Sequence, residues 1–139
     1  MTRPFVLPDS TRAVIAGSRF RLLPQPVRYA RVAAVCAAER HLMVVRDDRE
    51  ITLVSDEAGL ALEAPLEVNP DRWALFQVDC ANPFYCVGFI AHAASLLAAH
   101  GLDVLVVSTF SRDYFMVLDA ERERVRHLLL EVGFAEATD

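Results

Sequence analysis

Long hydrophobic runs are missing from this sequence. Hydrophobic residues make up 54% of the 139 residues and the mean hydropathy is +0.28. They fall in short patterned segments rich in Ala and Val, and none approaches the ~20 consecutive apolar residues that cross a bilayer. No membrane span and no membrane partner are therefore expected. The first 20 residues also lack the order of a signal peptide, because Ala13-Val-Ile-Ala16 is too short for an apolar core and Arg19 and Arg21 follow it. The expected location is the cytoplasm. Positive charge is scarce, with 14 basic against 19 acidic residues and a net charge of −5. A phosphate backbone selects clustered cations, so no nucleic-acid partner is expected. Lysine is absent and every basic residue is arginine, a bias that excludes nothing by itself. The three cysteines, Cys36, Cys80 and Cys86, form no Cys-x-x-Cys pair. An odd count fits reduced thiols better than a disulfide framework.

Catalytic signatures are missing as well. There is no phosphate-binding glycine loop, no dinucleotide fingerprint and no nucleophile elbow. His41, His92, His100 and His127 are scattered, and the pair on one helical stretch, His92 and His100, is ~12 Å apart in rise, too far to share a metal. Surface or helix-end positions are the expectation for all four. No metal, no cofactor and no enzymatic activity are expected. The one chemically plausible nucleophile is Cys86 at a helix start, where the helix field lowers a thiol pKa.

What is present is a strand and helix pattern. Residues 1–17 carry Pro4, Pro8 and Gly17 and read as a loose arm. Strands are expected over 18–23 and 29–35, a helical turn over 37–40, and a hairpin from 41–46 and 50–55 around Asp47-Asp48-Arg49. Residues 56–71 read as a connector, since Gly59, Pro65 and Asn69-Pro70 interrupt periodicity there. The second half is more regular. A strand over 72–79 precedes a helix over 86–100, whose apolar spacing runs through Val87, Ile90, Ala94, Leu97 and Ala98 and ends at Gly101. Residues 103–108 read as a buried central strand and 113–118 as its antiparallel partner. Asp119 is placed to cap a helix carrying Val125, Leu128, Leu129 and Val132. A short edge strand over 134–137 closes the chain. This order predicts an α+β, ferredoxin-like antiparallel sheet. Its expected divisions are an arm (1–17), a degenerate half (18–66) and a complete domain (72–139).

Four motifs, in the same order, resemble those of ACT-domain proteins, in particular the branch with small bacterial tandem-ACT proteins and CASTOR-type arginine sensors. They are Glu50-Ile-Thr-Leu-Val-Ser55, Trp73 followed by Phe76-Gln-Val78, Phe84-Tyr-Cys-Val-Gly88-Phe-Ile-Ala91, and Val107-Ser-Thr-Phe-Ser-Arg-Asp-Tyr-Phe-Met-Val117. The last is the most specific. The resemblance implies two ACT-like halves side by side in one joined sheet with helices on one face. It also implies a non-catalytic regulatory module, a homodimer, that binds an amino acid and signals to a partner protein.

Carried onto this chain, the family's effector loop and turn are Cys86, Val87, Gly88, Thr109, Phe110 and Asp113, and a neighbouring unit adds Asp103 and Val104. An amino acid needs an anion for its ammonium and donors for its carboxylate. Asp113 offers the first; Ser108, Thr109 and the free amides after Gly88 offer the second. Asp113 serves equally well to rigidify its own turn, and Gly88 to permit close helix packing. Phe84, Phe110 and Phe115 read as core, and Glu50 as a solvated hairpin residue. Arginine-binding relatives carry a Glu where this chain has Cys86, and a thiol cannot neutralise a guanidinium. That departure leaves a second reading open, a structural or interaction protein with a degenerate pocket.

Overall fold

The computed structural model describes residues 3–81 and 85–138. The chain divides into two compact units, residues 1–23 with 75–139, and residues 24–74. The first is built on a five-stranded sheet of order β7-β8-β6-β1-β9. Its elements are α1 (Asp9–Gly17), β1 (Arg19–Leu22), β6 (Trp73–Asp79), α3 (Phe89–Ala99), β7 (Leu105–Ser108), β8 (Asp113–Leu118), α4 (Arg122–Glu131) and β9 (Ala135–Glu136). The second holds a four-stranded sheet of order β3-β4-β2-β5, with β2 (Arg28–Val32), β3 (Met43–Arg46), β4 (Ile51–Ser55), a single-turn α2 (Glu57–Leu60) and β5 (Pro65–Val68). The architecture is α+β, with antiparallel pairs β1–β6, β2–β4, β2–β5, β3–β4 and β7–β8 and a parallel β1–β9 pair.

The first unit is ferredoxin-like: β6, α3, β7, β8 and α4 follow in sequence, and β8 and β6 are neighbours in the sheet. Phe20 and Phe76 meet across β1 and β6 with ring centroids 6.0 Å apart, and Phe89 at the start of α3 packs on Phe115 at 6.4 Å and edge-on to Phe134 at 5.7 Å. Val125, Leu128 and Leu129 bury the inner stripe of α4, at the spacing expected from the sequence. In the other unit, Val32, Ile51 and Leu53 form a core cluster with Val35 against it.

Several expectations change. The expected loose arm holds a helix: Asp9–Gly17 form α1, with Thr11 and Ile15 buried one helical turn apart. The connector holds β5, which pairs with β2 despite opening on Pro65; proline is tolerated at the first position of an edge strand. β1 pairs with β6 from Arg19↔Asp79 to Leu22↔Phe76, so 18–23 joins the second half and the unit boundary falls at 24–74. The strands form two sheets where one joined sheet was expected. β7 is an edge strand with Val106 37% exposed, because this strand order leaves the second strand of the motif on the rim. The buried stripe of α3 is Phe89, Ala93 and Leu97, while Ile90 is exposed. That helix is apolar on nearly every side, so spacing alone could not select the face. Asp119 lies in a short 3-10 turn, and its carboxylate pairs with Arg122 at 2.9 Å and caps nothing.

Candidate functional site

β6 ends at Asp79 on the same end of its sheet as the turn between β7 and β8. Arg112 of that turn donates from Nε to Asp79 Oδ1 at 2.6 Å, and this ion pair raises the guanidinium pKa. The loop that opens α3 starts one residue beyond Asp79, so the two predicted site segments share one end of the sheet. Within the turn, Thr109 N–H donates to Arg112 O at 2.8 Å and Arg112 N–H to Thr109 Oγ1 at 3.3 Å. Ser108 faces Asp113 across the hairpin, and its hydroxyl donates to Asp113 Oδ1 at 2.5 Å. Asp113 is buried, with 7% of its surface exposed.

Gly88 stands immediately before α3 at φ +86°, a conformation that favours glycine. The space above it is taken: a Cβ there would lie 2.9 Å from the ring of Phe5. Thr11 Oγ1 donates to Val87 O at 2.5 Å. The N-terminal segment thus lies over the opening of α3. Val87 is exposed and Cys86 half-buried, and Phe110 is 83% exposed, against its expectation as core. Phe115 is in the core as expected, and Phe84 lies outside the described residues. Asp103 and Val104 precede β7, at the opposite end of that strand from Ser108. Four residues of strand are ~13 Å, so one chain does not bring them to Gly88 and Thr109.

A polar cluster in the 24–74 unit escaped sequence reasoning. His41 is no surface histidine: its side chain and that of Glu63 are fully shielded, with Nε2 2.8 Å from Glu63 Oε1 and Nδ1 2.8 Å from Ser55 Oγ. Glu63 also accepts from the backbone amides of Cys36 at 2.9 Å and Ala37 at 2.8 Å. The His41 bond, then those of Ala37 and Cys36, pull the Glu63 pKa down to about 2. The negative charge of the same carboxylate, and a hydrogen bond that the thiol donates to it, raise the pKa of the exposed Cys36 thiol. Ser55 is 1% exposed, and its hydroxyl sits against Gly59 and Arg40 O. No substrate reaches it, so this serine–histidine–glutamate arrangement ties loops together and does not act as a nucleophile. Residues 22 apart in sequence give no local signal of such a tie. Among the described residues, no group of His, Cys, Asp or Glu is placed to hold a metal, and no helix is long and apolar enough to cross a membrane.

The Glu63 shift has a definite sign. The folded pKa lies below the ordinary value of 4.5, so the carboxylate stabilises the fold above that pH and the contribution is lost as pH falls through about 2. Urea midpoints should drop over this acid range in the parent protein, and Glu63→Gln should flatten the slope. Equal slopes for the two proteins would contradict the assignment.

Residues 68–131 match the ACT domain family. No curated protein matches the chain. Among solved structures, a Vibrio cholerae protein of unknown function is similar with a TM-score of 0.76 at 17% identity, over 89% of this chain and 96% of its own. An Agrobacterium tumefaciens protein follows at 0.69 and 22% identity, over 88% and 93%. The ligand-free regulatory subunit of aspartate kinase from Thermus thermophilus gives 0.57 at 11% identity, over 81% and 95%. At these identities the likeness defines the fold alone, a ferredoxin-like architecture shared with that regulatory subunit.

Proposed function

We propose that the chain is a non-catalytic regulatory module that binds a small molecule, an amino acid, at the end of the β6–β8 sheet beside the opening of α3. The observation that carries this reading is the buried Asp113 carboxylate, held by Ser108 in a turn that Arg112 fastens to Asp79. It sets a fixed carboxyl group beside the exposed Thr109 of the same turn. The ACT match over 68–131 and the likeness to an aspartate kinase regulatory subunit support a regulatory role. The repeated strand order, β7-β8-β6 in one unit and β3-β4-β2 in the other, supports the tandem-ACT, CASTOR-like branch. Asp103 and Val104 join such a site only from a second copy, so the module reads as a homodimer. Three free cysteines suit a reducing cytoplasm.

Titration calorimetry of the purified chain against the twenty amino acids tests this. One or a few should bind saturably. Asp113→Asn should weaken that binding roughly 10-fold or more, since a bond to a charged group contributes about 1.5–3 kcal/mol. A flat response from all twenty removes the amino-acid reading, and binding untouched by Asp113→Asn removes the site. The alternative, an interaction protein with a degenerate pocket, is favoured by Phe5 over Gly88 and Thr11 on Val87. It predicts that Phe5→Ala leaves the response flat.

A further inference from the structure

The segment over the opening of α3 is fixed along most of its length. Thr11 and Ile15 are buried on the inner side of α1. Thr11 Oγ1 donates to Val87 O at 2.5 Å near the start of that helix. Beyond its end, Ser18 Oγ accepts from the Ala81 amide at 3.1 Å and donates to Val14 O at 2.6 Å. Leu7, two residues ahead of α1, is buried as well. These ties run from Leu7 to Ser18, so α1 stays docked whatever residues 3–6 do.

Phe5 and Val6 are held differently. Val6 is 74% exposed and Phe5 53%. The Phe5 ring nevertheless stands directly over Gly88, where a Cβ would lie 2.9 Å from two of its atoms. A core phenylalanine is enclosed on all sides, as Phe20, Phe76 and Phe115 are in the same unit. Phe5 rests instead on backbone that has no side chain to grip it, beside the exposed Val87. Gly88 already needs to be glycine for its φ of +86°, and the close approach of the ring adds a second demand at that position. A half-exposed ring on bare backbone, next to deep anchors, separates without unfolding anything else.

We propose that Phe5 is a built-in competitor for the ligand site: its ring holds the ground over Gly88, and an amino acid enters only when residues 3–6 swing aside about Leu7 while α1 stays docked. This inference rests on the reading that the opening of α3 borders the site. A ligand that needs the open arrangement binds with its affinity reduced by the open fraction. A ring closed in about nine molecules of ten therefore weakens binding about 10-fold.

Calorimetry of the full chain and its variants against the twenty amino acids, with NMR of the same samples, tests it. Phe5→Ala should bind whichever amino acid the parent binds about 10-fold more tightly. Phe5→Leu, which keeps an apolar side chain over the glycine, should gain less, and Val6→Ala should match the parent. In the free parent, nuclear Overhauser contacts should link the Phe5 ring protons to the Gly88 α-protons, and saturation with that amino acid should abolish them. Unchanged or weaker binding by Phe5→Ala, or ring contacts that persist at saturation, would overturn the competitor. If Asp113→Asn still weakens binding in that event, the site stands and this inference alone falls. A flat response from both the parent and Phe5→Ala removes the two together. Unchanged amide shifts at Thr11 and Ile15 report that α1 is intact in each variant.

Discussion

Phe115→Ala is expected to cost about 3–5 kcal/mol, the range for removing a buried aromatic ring, and to lower the melting temperature by roughly 10–20 °C. The ring is 1% exposed at the centre of β8 and stands 6.4 Å from Phe89, which in turn meets Phe134 edge-on. Its loss removes transfer free energy and leaves a void that the sheet cannot close, because β8 is hydrogen-bonded between β7 and β6. The same ring supports the first residue of α3, directly after Gly88, so the variant should also loosen the opening of that helix. Chemical denaturation gives the energy. Hydrogen exchange of the amides following Phe89 gives the local effect. A loss below about 1 kcal/mol would mean that the packing at this position is not what holds α3 to the sheet.

Gly59→Ala is expected to destabilise the 24–74 unit by about 2–3 kcal/mol, although helix propensity alone favours alanine over glycine by about 1 kcal/mol. A Cβ at Gly59 would stand 2.0 Å from Ser55 Oγ, 3.1 Å from Arg40 O and 3.3 Å from Asp56 Oδ1. Ser55 is buried, and rotating its hydroxyl away breaks its contact with His41 Nδ1. Asp56 accepts the Gly59 amide at 2.8 Å as the cap of α2, so its carboxylate is held as well. Overpacking costs about 1–3 kcal/mol and each lost hydrogen bond about 1 kcal/mol, together more than the propensity gain. Unfolding in urea, with the His41 ring signals followed by NMR, measures both parts. In a Gly59→Ala/Ser55→Ala double variant most of the steric cost should vanish, since the opposing oxygen is gone. A single variant as stable as the parent would show that Ser55 turns aside freely and that the His41 cluster is not tied to this close approach.

The elements of the second half were legible because local chemistry agreed with tertiary need. Gly101 and Gly133 stop their helices with positive φ, the stripe of α4 points inward, and the β7–β8 hairpin forms at Asp113. Less was legible in the first half. β5 hid behind Pro65 and Asn69, and α1 behind a proline-rich start, since breaker residues at element ends look the same as breakers in loops. Of the predicted site, Ser108, Thr109 and Asp113 form one bonded turn, while the place of Gly88 beneath Phe5 depends on a residue far away in sequence. Asp103 and Val104, which the resemblance assigns to a neighbouring unit, sit across the length of a strand.

Periodicity and turn chemistry by themselves determined that this chain forms antiparallel strands with amphipathic helices, since those signals act over a few residues and need no distant partner. The tertiary structure alone decided that β1 pairs with β6, so that residues 24–74 form a unit of their own. It also decided that His41, Ser55 and Glu63 meet. Such pairings depend on which surfaces remain to be buried once the local elements exist, and a linear pattern holds no record of that choice.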